Sequence, residues 1–464
     1  MYTRYCSSDS RDKVLLIGAE DYFTLYVNNE RIFTSHVARR YEDSFYAVPV
    51  RFREGSNDIL IKISRLAGRW GLSAKILTPN KPYYINYNRI VKPRPLESGV
   101  VKEWIGIPIL FLRDVKSLKV ICDENDFWDR CFYENKDLKR YEIYQIPLRI
   151  VSKRPLRENT YLQIKIILDG EEFAENILIE LSRDRNTVHT YRSLYDGSVH
   201  RYGVKIPLNY NPELSYPVVL LLHGFKGIQM YSEIYGDKDW IIAVGITARD
   251  GEVPYREIGL LEILEVIRDL ESRYRIDLDR IYIEGHSMGG YGAWYAGVTY
   301  PDVFAAVVPL SSRGDLSDLV NRIIEKPSLK GLAKLYDMYN PARYLVNLRN
   351  TSIFISHGSE DDIVSVEYSR KMSEKLKRLG IDHVYEEVYG RKHWWGSYSR
   401  ETYYGAEAVD RYSIERFLKS SKRRIPKRIT IALDSIRNNR FWWLNIDKIS
   451  YKDQAYIDIE IEND

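Results

Sequence analysis

Residues 280–299 read RIYIEGHSMGGYGAWYAGVT, and this stretch decides the fold of the second half of the chain. Arg280 to Glu284 is a short β-rich run, Tyr291 to Thr299 has helical composition, and Gly285 to Gly290 joins them. A nucleophilic serine needs a tight strand-to-helix turn that pushes its Oγ into a cleft. Glycine two places before and two after lets the backbone make that turn without a side-chain clash. Ser287 stands in such a frame, between Gly285 and Gly289. The helix that begins there sets backbone N–H groups beside a developing oxyanion, with Met288 as the candidate donor. The five-residue pattern alone occurs in many proteins; its place between a strand and a helix gives it weight.

Outward from this turn, strands and helices alternate. Pro217 to Leu222 is a short apolar run, as expected of a parallel strand covered on both faces, and Trp240 to Ile246 is another. Glu257 to Tyr274 carries Ile258, Leu261, Leu264, Ile267 and Leu270 near one helical face. Phe304 to Leu310, Ser352 to Ser356 and His383 to Val388 supply further strands. This alternation predicts an α/β fold with a doubly wound, mostly parallel sheet and right-handed crossovers. Directly after Pro217–Leu222 comes His223-Gly224-Phe225-Lys226-Gly227, the loop that in such sheets donates a second oxyanion N–H, here from Phe225. The bland reading is a glycine-rich turn, with His223 a hydrogen-bonded loop histidine.

An acid and then a histidine should follow the serine. Of the eight histidines, His357, His383 and His393 lie beyond Ser287. The run His357 to Val364 (HGSEDDIV) follows the strand Ser352–Ser356, at the end where open α/β sheets place functional groups. Asp361 is the favoured carboxylate, Asp362 and Glu360 the alternatives; a solvated loop or weak Ca²⁺ site is the structural reading. His393 lies beyond the last strand and can reach the serine across the top of the sheet, whereas His383 starts that strand and reads as structural. Trp394 and Trp395 either shield the imidazole from water or pack locally.

The rest of the chain reads as β. Tyr22 to Val27, Asn28-Asn29 and Glu30 to Thr34 form strand, turn and strand, because asparagine tolerates the positive φ of a tight hairpin. Phe45 to Phe52, Asp58 to Ile63 and Trp70 to Leu77 follow, with Glu54-Gly55 and Gly68 as turns. Regular short strands predict a β-sandwich. A second β segment runs from about Val100 to Leu181, beyond the proline-bearing stretch Thr78 to Pro95. The expected domains are residues 1–85 (jelly-roll-like sandwich), 86–187 (second, Ig-like sandwich), 188–422 (the α/β unit) and 423–464 (a short β segment, read as incomplete).

With 69 Lys plus Arg against 65 Asp plus Glu, the net charge of +4 offers no whole-protein field for a nucleic-acid backbone. No run approaches the length of apolar residues that spans a membrane. Met1 to Lys13 is largely polar and does not read as a signal peptide, so the expectation is cytoplasmic, or secreted if the natural start lies upstream. Depleted Gln and Met with abundant charge lean towards a thermophile. Cys6, Cys122 and Cys131 form neither a disulfide framework nor a CxxC pair. The spacing permits a Cys122–Cys131 bridge, but two separate thiols are the expectation.

Several of these phrases resemble the prolyl-oligopeptidase-like branch of the α/β-hydrolases. They are Ile276 to Tyr282 (IDLDRIY), Gly285 to Gly292 (GHSMGGYG), Tyr300-Pro301-Asp302, His357 to Val364 and Gly390 to Gly396 (GRKHWWG), across about residues 188–420. The resemblance implies Ser287 as nucleophile, Asp361 as acid and His393 as base of a serine hydrolase that cleaves a carboxylic ester or a peptide bond. Met288 and Phe225 would bind the oxyanion. It implies no cofactor and no metal, and a small ester or peptide substrate, with a carbohydrate-linked ester among the candidates. No β-propeller repeat precedes this unit, which departs from the oligopeptidases. Tyr26 to Asn29 and Trp70 to Leu72 look instead like jelly-roll modules beside glycoside-processing enzymes, and Phe441-Trp442-Trp443 resembles a β appendage of multidomain hydrolases. The alternative, from another class, is a glycan-binding multidomain protein whose hydrolase unit is auxiliary or inactive.

Overall fold

Strand Gly55–Ser64 buries Asn57, Ile59 and Ile61 at alternate positions, the pattern of a sheet with one packed face. It belongs to the first of two units, Met1–Arg201 and Tyr202–Asp464, into which the computed structural model divides. The structure describes all residues except 67–69, 97–98, 183–184, 226–230, 234, 252, 396–405, 436–437, 450–453 and 463–464. The expected turn at Gly68, the loop residues Lys226 and Gly227, and Gly396 therefore lie outside the described residues.

The first unit holds two β-sandwiches. In one, a four-stranded sheet (Tyr2–Ser7, Gly55–Ser64, Tyr22–Val27, Glu30–Thr34) shares a core with a three-stranded sheet (Tyr46–Arg51, Asp12–Ala19, Leu72–Leu77). Leu15, Ile17, Phe23, Leu25, Val48 and Ile61 interdigitate there. Asn28 and Asn29 make the expected hairpin turn at φ 50° and 66°. In the other, Cys131–Leu138, Val115–Cys122, Thr160–Leu168 and Glu171–Ile179 pack against Ile143–Val151, Lys102–Phe111 and Tyr83–Ile85. Here the cysteine expectation is corrected: Cys122 and Cys131 are disulfide-bonded. Antiparallel register sets them directly opposite each other with Cα atoms 4.9 Å apart, within bridging range. Sequence spacing alone did not contain that register.

The second unit is built on a mostly parallel sheet. Its strands are β1 (Val199–Lys205, entering the unit at Tyr202), β2 (Tyr216–Leu222), β3 (Ile242–Ile246), β4 (Ile276–His286), β5 (Ala306–Leu310), β6 (Ser352–Gly358) and β7 (Val384–Val388). They run in the order β1-β3-β2-β4-β5-β6-β7. The β1–β3 pair is antiparallel and every later pair is parallel. Every residue of β2 and β3 is buried, as their unbroken apolar sequences require when both faces are covered. The crossovers include α1 (Ile258–Glu271), α2 (Met288–Thr299), α3 (Ser317–Ile324), α4 (Lys330–Met338) and α5 (Glu367–Arg378), and α6 (Tyr412–Ser420) follows β7. This is the α/β-hydrolase fold.

Beyond α6, Arg428–Leu433 pairs antiparallel with Ala455–Glu460, beside the small hairpin Arg440–Phe441 and Leu444–Asn445. The Asn347 side chain holds this segment by accepting from the Ala432 N–H at 2.7 Å and donating to the Ala432 carbonyl at 3.1 Å. Among the described residues no helix is long and apolar enough to cross a membrane.

Candidate active site

Parallel strands β2, β4 and β6 all end on one edge of the sheet, and the candidate residues follow them immediately. Ser287 is the single residue between β4 and α2, at φ 59° and ψ −116°, a conformation a non-glycine residue adopts only when its surroundings force it. The surroundings do so. Its N–H donates to the Leu310 carbonyl at 2.9 Å. A Cβ on Gly285 would stand 2.4 Å from the Gly289 carbonyl oxygen, and one on Gly289 would stand 2.0 Å from that of Leu222. The two glycines thus allow the helix N-terminus to close against β2 and β4, and the side chain of Ser287 is turned out by the backbone bend.

His393 lies beyond β7 and is buried. Its Nε2 lies 3.0 Å from Ser287 Oγ, and its Nδ1 lies 2.8 Å from Asp361 Oδ2. Asp361 follows β6, and its Oδ1 accepts the N–H groups of Ile363 at 3.0 Å and Val364 at 2.7 Å. Those two bonds fix the carboxylate and leave Oδ2 facing the imidazole. Burial pushes the Asp361 carboxyl up, but hydrogen bonds from His357, His393 and the Val364 N–H outweigh it and hold the group well below the ordinary carboxylate range. The neighbouring acids Glu360 and Asp362 are exposed. His383 is tied to Ser373 Oγ at 2.7 Å and to the Ile381 carbonyl at 3.0 Å, away from these groups.

Two histidines of the site went unassigned in the sequence reading. His357, the last residue but one of β6, brings its Nε2 to 3.1 Å from Asp361 Oδ2 and 2.8 Å from the Val364 carbonyl, and its Nδ1 to 2.7 Å from Ser369 Oγ. His286, next to the serine, brings its Nε2 to 2.9 Å from the His393 carbonyl. Burial, and then the neighbouring His393, lower the His286 pKa to about 3, so its ring stays neutral. The signal available in sequence was only their adjacency to the two motifs. Both tryptophan readings have a place: the Trp394 ring stands edge-on to His393 at 4.9 Å, while Trp395 is buried in the sheet core.

Met288 opens α2, whose first N–H groups have no partner within the helix. Phe225, about half exposed, is the last described residue before 226–230. His223 beside it is fully buried, with Nδ1 2.8 Å from the Gly224 carbonyl, Nε2 2.9 Å from the Thr247 carbonyl, and its N–H donating to Tyr255 Oη at 2.9 Å. That network anchors the start of the loop to β3. A hydroxyl bonded to an imidazole that is oriented by a fixed carboxylate can lose its proton as it attacks an electrophilic carbon.

Fold and site together have the arrangement that a serine hydrolase requires. Residues 254–418 match the model of the prolyl oligopeptidase family. An uncharacterized secreted protein of Arthroderma benhamiae is 32% identical over 217 residues, covering 42% of this chain and 23% of that protein. Acyl-protein thioesterase 1 of Emericella nidulans is 28% identical over 133 residues, covering 28% of this chain and 47% of that protein. The matches thus span about a quarter and about half of these relatives' lengths. Among solved structures, one described as a thermostable esterase aligns at 19% identity and a TM-score of 0.36, covering 72% of this chain and 100% of its own.

Proposed function

We propose that the chain hydrolyses a carboxylic ester or a peptide bond through Ser287, His393 and Asp361. The observation that carries this reading is the continuous contact from Ser287 Oγ to His393 Nε2 and from His393 Nδ1 to Asp361 Oδ2, at 3.0 and 2.8 Å, on a strained turn. Ser287 Oγ attacks the acyl carbon while its proton passes to His393 Nε2. Asp361 holds the ring with Nδ1 protonated and stabilises the imidazolium. The N–H groups of Met288 and Phe225 receive the oxyanion. The tetrahedral species collapses to an acyl-enzyme as Nε2 returns the proton to the leaving alcohol or amine. Water then attacks the acyl carbon, gives its proton to Nε2, and the acid departs with Ser287 restored.

A panel of acyl nitrophenyl esters and aminoacyl-nitroanilides tests the bond class. Hydrolysis of one series and not the other assigns it. Hydrolysis of neither, by a folded protein whose serine also fails to take up a fluorophosphonate, contradicts the proposal.

A further inference from the structure

We propose that His357 is a positioning residue for the acid: a second imidazole that donates to Asp361, fixes its carboxylate and tempers its pull on the His393 ring. The proposal rests on the roles given above to Ser287, His393 and Asp361. His357 is completely buried at the end of β6. Its Nε2 faces two acceptors, Asp361 Oδ2 at 3.1 Å and the Val364 carbonyl at 2.8 Å, so that nitrogen must carry the proton. Ser369 Oγ, at the start of α5, lies 2.7 Å from Nδ1 and donates to it, which selects the same tautomer. The carboxylate is thereby held by four donors: two backbone N–H groups on Oδ1, and His357 and His393 together on Oδ2.

Sharing Oδ2 has a chemical consequence. Each donor withdraws charge from the oxygen, so the bond from His357 weakens the pull of Asp361 on the His393 imidazolium. The titratable groups facing the pair are Asp361 between them, His286 against His393, and Glu387 of β7, whose charge interacts with His357. His286 stays neutral, and Arg370 pairs with Glu387, so neither is the group that changes when His357 is replaced.

The test compares His357→Leu, which removes the donor, with His357→Gln, whose amide nitrogen can reach the same oxygen. The expected result for Leu is a fall in kcat of roughly ten- to a hundredfold with little change in KM, the size of one charge-assisted hydrogen bond. The acid limb of kcat/KM should also move up by about half to one pH unit, since one carboxylate partner has been lost. Gln should restore most of both. If the Leu protein does not fold, Ser369→Ala, which frees the tautomer, should move the limb in the same direction by less. Equal losses in Leu and Gln with an unmoved limb, or an unmoved limb in Ser369→Ala, would overturn the proposal. Those outcomes leave the hydrolase reading intact, because that reading is tested separately, by labelling and replacement of Ser287.

Discussion

The His286 ring ends 2.9 Å from the main-chain carbonyl of His393, so the residue before Ser287 holds the loop that carries His393. The contact requires a proton on Nε2, and burial together with the neighbouring His393 keeps the ring neutral down to a pKa of about 3. His286 therefore cannot be the group whose protonation stops activity in mild acid. Replacing it with alanine frees the loop and should lower kcat by roughly ten- to a hundredfold, while the acid limb of the pH profile stays where it was. A limb that shifts with His286→Ala would mean that this histidine is titrating.

The two adjacent aspartates should behave differently. Asp361 is bonded to both imidazoles and two backbone N–H groups, whereas Asp362 is exposed. Asp361→Asn presents a donor to His393 Nδ1 and favours the wrong tautomer, at a cost of about 10⁴ in kcat. Asp362→Asn should leave kcat within about threefold, the range of an exposed substitution. Steady-state rates on one activated ester decide between them.

Glu262 gives a pH dependence to stability. It is fully buried in α1, accepts the Arg249 N–H at 2.9 Å, and its pKa is pushed up to about 8, mainly by burial. Between an unfolded value of about 4.5 and that folded value, the unfolded chain has released a proton that the folded chain keeps. Stability must then fall as pH rises through this window. Glu262→Gln removes the titration, so it should gain on the order of 3–4 kcal/mol over wild type on going from about pH 5 to pH 8. Denaturant melts at the two pH values measure it; an equal difference at both would remove Glu262 as the cause.

The Cys122–Cys131 bridge closes a short loop, with a sequence separation of 9. On the chain-entropy estimate, its loss costs about 2–3 kcal/mol of the sandwich that contains it. Peptide mapping without reductant should recover the two cysteines in one cross-linked peptide. Cys122→Ala/Cys131→Ala should lower the melting temperature without changing the rate on a small ester, because the candidate active site lies in the other unit.

Much of the candidate site was legible because the strand-to-helix turn at Ser287 forces unusual backbone. Gly285 and Gly289 are demanded by contacts of 2.4 and 2.0 Å, so the turn at Ser287 leaves a glycine pattern that its place between a strand and a helix makes readable. Asp361 and His393 were legible from where their strands end. His286 and His357 were not, because a histidine buried beside carbonyls and one poised on a carboxylate look alike in sequence; the difference is a matter of ångströms across β4, β6 and the loop after β7. The disulfide was hidden for a related reason. Pairing of Cys122 with Cys131 depends on cross-strand register, and residue spacing leaves register open. Strand edges also moved: β4 begins at Ile276 rather than at the expected Arg280, because Ile276 pairs with Tyr216 of β2.

The most direct measurement is the intact mass of the full chain after exposure to a fluorophosphonate, run beside Ser287→Ala. Wild type should gain one adduct, mapped to the peptide containing Ser287, and lose turnover in step with it. The alanine protein should stay unlabelled and folded, with kcat lower by about 10⁶. A wild type that takes up no label, or an alanine variant that still turns over, would contradict the role of Ser287 as nucleophile.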